Sequence, residues 1–158
     1  MMNRRFITTI LGAGVVATLG ACSTLKPETY DCSSLLSVPE LGARITLAAE
    51  TGELSTIRLN GIDAVCEDDG EEIIVNLGIG LKVSRPVEES GKALLLEVPF
   101  IAARLDSTDT VIGHDSFSYR MAFGSKVDLI YPLMRHQLSI PADGRLVISL
   151  VSERIELN

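Results

Sequence analysis

The chain has 158 residues, three cysteines, two histidines, no tryptophan and a formal charge of −7 at neutral pH. That length is one domain with enough residues to bury a real core. The acidic balance, unbroken by any run of Lys or Arg, speaks against nucleic acid and against adhesion to anionic lipid headgroups, and the scarcity of aromatics against a carbohydrate-stacking surface.

The start reads Met1-Met2-Asn3-Arg4-Arg5, then an apolar stretch from Phe6 to Leu19, then Gly20-Ala21-Cys22. A short positive region, a hydrophobic run of this length and small residues at its end form a removable secretory signal. A helix that crosses a bilayer needs roughly 20 apolar residues in succession, whereas Thr8, Thr9 and Thr18 interrupt this run. Leu19-Gly20-Ala21-Cys22 resembles the lipobox of bacterial lipoproteins. The resemblance implies that residues 1–21 are cut away, that the Cys22 thiol takes a diacylglyceryl group, and that the new amino terminus is acylated. Acyl chains contribute roughly 0.8 kcal/mol per buried methylene, so two or three make a stable anchor where one is marginal. The alternative is an ordinary secretory signal with an incidental Cys22. Ser23, by the usual sorting pattern of such lipoproteins, implies the outer membrane with the domain facing the periplasm. Arg4-Arg5-Phe6-Ile7 also resembles part of a twin-arginine signal, but Thr8 departs from it and the general secretory route is the expectation.

Residues 22–42 are polar and punctuated by Pro27 and Pro39, and read as a lipidated tether followed by a docking segment around Leu35-Leu36. An odd cysteine count outside the cytoplasm calls for an explanation. Lipidation of Cys22 leaves Cys32 and Cys66, which an oxidising compartment most economically joins in a disulfide. Closing a loop of about 35 residues stabilises by roughly 3–4 kcal/mol in the chain-entropy picture. Two free thiols or a shared metal are the alternatives; the histidines, His114 and His136, lie far along the chain from both cysteines.

Residues 43–158 read as a β-domain. A first strand is expected at about 43–49. Ile57 and Leu59 then alternate in one phase, and Ile62, Ala64 and Cys66 in the other. The switch falls at Asn60-Gly61, where a β-bulge absorbs one residue. Ile73, Val75, Leu77, Ile79, Leu81 and Val83 alternate without a break, the pattern of a long half-buried strand. Gly78 and Gly80 on its outer face point to a bend or a close neighbour. Asp68-Asp69-Gly70 makes 55–67 and 71–85 a hairpin. Further strands are expected at 93–105, 110–123, 127–139 and 145–156, and Pro99 marks the first of these as an edge strand or a bulged one. In 110–123, Phe117, Tyr119, Met121 and Phe123 make one face. About seven strands with turn residues between them give an all-β, antiparallel two-sheet sandwich, immunoglobulin-like in outline. A lipocalin-type barrel is the second possibility.

Cys32, Cys66, the strand ending Ser84-Arg85-Pro86, the stretch Val98 to Asp106, Phe117 to Phe123 and the closing Glu153 to Asn158 together resemble a group of small alphaproteobacterial envelope lipoproteins. The resemblance implies a sandwich fold and periplasmic exposure. It brings no catalytic residues.

Nothing in the chain converges as an acid, base and nucleophile set. His114-Asp115-Ser116 holds the residue types of a hydrolase triad, but neighbours on a strand alternate faces, so Asp115 points away from the other two. The acids Glu67, Asp68, Asp69, Glu71 and Glu72 offer oxygen ligands of the kind calcium takes, without the spacing of a calcium loop. Gly78-Ile79-Gly80 lies within a strand and opens no helix onto a phosphate. No enzyme activity, cofactor or metal is therefore expected. The sequence points to a membrane-anchored adaptor that binds another envelope protein, with Leu95 and Ile101 in the apolar segment 93–105 as candidate contact residues and strand addition as one mode. The competing placement of 93–105 is a central strand buried on both faces. The competing function is a carrier of a small apolar molecule or lipid in a barrel-like cavity.

Overall fold

The computed structural model describes residues 28–49, 52–68, 70–85 and 93–152; the signal segment, Cys22 and the closing residues 153–158 lie outside them. Ten strands form among these residues: β1 (Thr29–Asp31), β2 (Leu36–Ser37), β3 (Arg44–Ala48), β4 (Leu54–Asp68), β5 (Glu72–Ser84), β6 (Leu94–Leu105), β7 (Val111–Phe123), β8 (Leu129–Ile130), β9 (Leu133–Pro141) and β10 (Arg145–Leu150). They make an all-β sandwich of two packed sheets.

In sheet A, β4 and β5 are the central hairpin. β1 and β3 lie along the outer side of β4, pairing with its two ends. β8 and β9 likewise share the outer side of β5. Sheet B runs β2-β10-β6-β7, antiparallel except for the β2–β10 pair.

The phase switch in β4 is a bulge. Leu59 pairs with Leu81 and Ile62 with Ile79, so Asn60 and Gly61 together oppose one residue. Gly61 takes φ +130°, which a side chain would resist. The extra residue keeps Ser55 and Ile57 on one side of it, and Ala64 and Cys66 on the other, all facing the core. Without it one half of β4 would turn its apolar residues to solvent.

The predicted strand 127–139 is two strands. Pro132 has no N–H to give the ladder, and the chain pairs with β5 on either side of it, while its carbonyl accepts from the Leu81 amide at 2.9 Å. Pro99 marks an edge and not a bulge: β6 lies between β10 and β7 from Phe100 to Leu105, pairs with β7 alone from Leu94 to Val98, and Pro99 at the junction stays in register opposite Ser118. Its carbonyl accepts from the Val151 amide at 3.2 Å, just past the end of β10. A strand residue points its N and its C=O to the same side, so the reciprocal bond to the Val151 carbonyl is the one Pro99 cannot give, and the β10 ladder stops there.

The core is filled from both sheets: Ile57, Ile79, Leu81 and Val83 from one, Leu96, Val98, Phe100, Phe123, Leu146 and Ile148 from the other. One charged side chain is enclosed with them. Arg85 follows β5, donates from Nε to the Val127 carbonyl (2.7 Å) and from Nη2 to that of Gly124 (2.9 Å), and lies 3.6 Å from Glu53. Its guanidinium stands over the Phe123 ring. The loop between β7 and β8 is thereby tied to the end of β5.

Candidate interaction faces

Cys32 and Cys66 are joined in a disulfide with their Cα atoms 5.8 Å apart. Tyr30 is in register with Cys66, and the Cys32 amide donates to the Ala64 carbonyl at 3.2 Å. The Ala64 amide in turn donates to Ser33 Oγ. The Ser33 amide donates to Asp31 (2.9 Å), and this bond, with the Ser33 hydroxyl, holds the Asp31 carboxyl below the usual range. The start of the described chain is thus fastened to one edge of sheet A, at the hairpin end of β4.

Leu95 and Ile101 both lie on the outer face of sheet B. β6 is flanked by two strands only from Phe100 to Leu105; from Leu94 to Val98 it pairs with β7 alone, and its other edge carries no strand among the described residues. It is not buried on both faces: Leu94, Leu96, Val98, Phe100 and Ala102 face the core, while Leu95 is 54% exposed and Ile101 partly so. The outer face between them carries Glu97, which accepts from the Ser118 hydroxyl at 2.6 Å and from Arg120 Nε at 3.0 Å. Ile101 is in register with Ser116 on one side and Ser149 on the other, so small side chains surround it.

His114 and Ser116 are exposed on that same face, and Asp115 turns the other way to pair with Arg104 at 3.4 Å. The triad residues are therefore apart. In the acidic turn, Asp68 accepts from the Gly70 amide at 2.8 Å; Asp69 lies outside the described residues. Among those described, no three His, Cys, Asp or Glu side chains gather as a metal set.

The two sheets are sewn together along β7 and β9. His136 stacks on Phe117 with ring centres 3.7 Å apart, and Tyr119 meets both edge-on while its hydroxyl donates to the Arg135 carbonyl. Burial in this seam pushes the His136 pKa below its usual value, against a weaker upward pull from the Asp115 carboxylate. The same burial raises that of Tyr119.

The outer face of sheet A carries a groove of about 620 Å³. Gly78 supplies its floor. The Asp63 carboxyl leans over that residue so closely that a Cβ there would come within 2.6 Å of it. Asp63 and Arg135 stand on either side of Gly78 in register, and Gln137 donates to Asn76 at 3.1 Å one row further on. Gly80 passes 3.5 Å, in Cβ terms, from the bulge carbonyl of Gly61. Of the two glycines read from sequence as marking a bend or a close neighbour, Gly78 has a close neighbour and Gly80 only ordinary van der Waals contact.

Towards the other end of this face, Arg44, Arg58 and Lys82 occupy one cross-strand row on β3, β4 and β5. Residues directly opposite in a ladder point to the same face. Among the described residues these three make no ion pair with a carboxylate. The Lys82 ammonium lies 6.0 Å from the centre of the Tyr131 ring. The sequence reading looked for basic runs and missed this row, because its members are 14 and more positions apart. The hairpin and its bulge, both visible in the sequence, already place Arg58 opposite Lys82; Arg44 joins only through the pairing of β3.

No protein-family description, curated protein or solved structure matches this chain.

Proposed function

We propose that the chain is a lipoprotein of the bacterial envelope, anchored through Cys22, probing the periplasm with a non-catalytic sandwich that docks another envelope protein. Support for the anchor is the lipobox-like Leu19-Gly20-Ala21-Cys22. The Cys32–Cys66 bridge agrees with an oxidising compartment. The observation that carries the adaptor role is the outward placement of Leu95, exposed, and Ile101, partly exposed, on a strand whose other face supplies the core. Leu95, beside the Glu97–Arg120 ion pair, and Ile101, between two serines, are apolar anchors in a polar surround, a make-up that suits a contact with a partner. The groove on the outer face of sheet A is open to solvent and lined by both polar and apolar side chains. A second pocket, of about 380 Å³, lies between Leu47 and Ala48 of sheet A and Phe100 and Phe117 of sheet B and is where a carrier would hold an apolar ligand; the clustered core side chains of both sheets favour the adaptor.

The test is co-purification from solubilised envelopes with Leu95→Asp and Ile101→Asp. Both variants should keep the β-sheet circular dichroism and lose the partner that the parent retains. Leu95 is the cleaner site, since a charge at a half-exposed position costs within about 0.5 kcal/mol of folding stability. Retention of the partner by a folded Leu95→Asp chain would overturn the contact assignment. Mass spectrometry of the mature N terminus tests the anchor separately, and an unmodified Cys22 sinks it.

A further inference from the structure

We infer that the basic end of the outer face of sheet A tips onto an anionic lipid surface, the end that carries Asp63 and Glu67 standing further off, so that the anchored domain has a fixed orientation with sheet B turned away from the bilayer. This docking presupposes the lipid anchor proposed above. In an acidic chain, three cations that repel one another across adjacent strands, with no carboxylate between them, are complementary to an external anion. Arg44 and Arg58 are exposed, and the row continues into apolar side chains rather than stopping. Tyr131 flanks Lys82, with Leu129 beside Ser84 and Leu133 beside Gly80 on the same face. These three are 58%, 38% and 65% exposed. Cations beside exposed aliphatic and aromatic groups form the surface that peripheral proteins present to a charged bilayer: rings and methyls enter the interface while the basic heads meet phosphates.

The tether suits this placement. It joins the domain at the opposite, acidic end of the face, where β1 pairs with Val65 to Glu67. Seven residue steps from Cys22 to Thr29 reach about 24 Å when extended. The row lies eight or nine positions along β4 from that junction, about the same span at the strand rise. A chain anchored at Cys22 therefore reaches far enough for the basic end to tip onto the same bilayer. The net charge obscures this surface because it averages over both ends of one sheet.

The experiment uses the full-length protein reconstituted into vesicles of phosphatidylcholine, with or without phosphatidylglycerol. The chain has no tryptophan, so Tyr131→Trp is a unique reporter and Leu95→Trp, on the outer face of sheet B, its control. Expected is a blue shift and quenching by brominated lipid at position 131 in anionic vesicles only, reversed by high salt, with no shift at position 95. Each cation near an anionic leaflet is worth about a fivefold gain, so Arg44→Gln/Arg58→Gln/Lys82→Gln should lower the docked-to-free ratio roughly a hundredfold. Retained circular dichroism shows that the triple variant has folded; if it has not, the lipid and salt dependence at position 131 decides. Equal emission in both lipids, or an equal shift at position 95, overturns the orientation. A shift on adding soluble polyglutamate, with none on anionic vesicles, assigns the row to an acidic polypeptide and overturns the membrane docking. Failure of the anchor itself is read independently, by the mass of the mature N terminus.

Discussion

Replacing Cys32 and Cys66 together by alanine removes a cross-link between residues 34 apart in sequence. In the chain-entropy picture the freed loop gives the unfolded state about 12–13 cal/mol/K, or about 4 kcal/mol at room temperature. Both side chains are buried, at 2% and 0% exposure, so the lost sulfur contacts add to the deficit rather than offset it. A domain of this size loses roughly 3–5 °C of Tm per kcal/mol, which predicts a fall of roughly 10–20 °C. Urea and thermal unfolding followed by far-ultraviolet circular dichroism measure this, with the parent under reducing conditions as a second route to the same state. The m-value should rise as well, because the unlinked chain exposes more surface on unfolding. Hydrogen exchange at the Cys32 amide, which donates to Ala64, should quicken more than at Ile79 in the centre of β5. A loss below about 1 kcal/mol with an unchanged m-value would refute the reasoning: the segment between the cysteines would then already be restrained in the unfolded chain.

Three further outcomes follow from single contacts. Arg85→Met strands the Glu53 carboxylate and the carbonyls of Gly124 and Val127, and should cost about 3–5 kcal/mol by urea unfolding, with part recovered by adding Glu53→Gln. Gly42→Ala places a Cβ onto the Ser149 hydroxyl, 2.7 Å from Ser149 Cβ and 3.0 Å from Pro39, and should cost about 1–3 kcal/mol; Ser149→Gly in the same chain should restore much of it. Because the seam holds His136 at a lowered pKa, the unfolded chain binds its proton first as pH falls. Its contribution to stability is therefore full above the ordinary histidine pKa of about 6.5 and declines below it, through the lowered folded value. Unfolding curves between pH 5 and 8 should show this slope, and His136→Phe, which keeps a ring against Phe117, should flatten it.

Much of the fold was legible because strand formation is signalled by alternation over a few residues. The phase switch at Asn60-Gly61 located the bulge before any neighbour was known, and the apolar run from Ile73 to Val83 defined the longest buried face. The pairing of Cys32 with Cys66 was reachable by elimination. Pro99 marked an edge correctly, but only the length of β10 reveals that the edge runs from Leu94 to Val98 and that the rest of the strand is central. Pro132 divided a predicted strand, falling between two stretches that both pair with β5.

The sequence by itself determined the β-class, the core-facing residues of the long strands and the cysteine pair, since each depends on period or count along the chain. Beyond the β4–β5 hairpin, the tertiary structure alone decided which strands lie side by side. That choice makes β6 central from Phe100 to Leu105, leaves Leu95 exposed, encloses Arg85 beneath the β7–β8 loop, and draws Arg44 up to Arg58 and Lys82. Lateral neighbours in a sheet come from pairings between distant segments, fixed by closing the core as a whole. A basic row assembled across strands therefore leaves no basic run in the sequence.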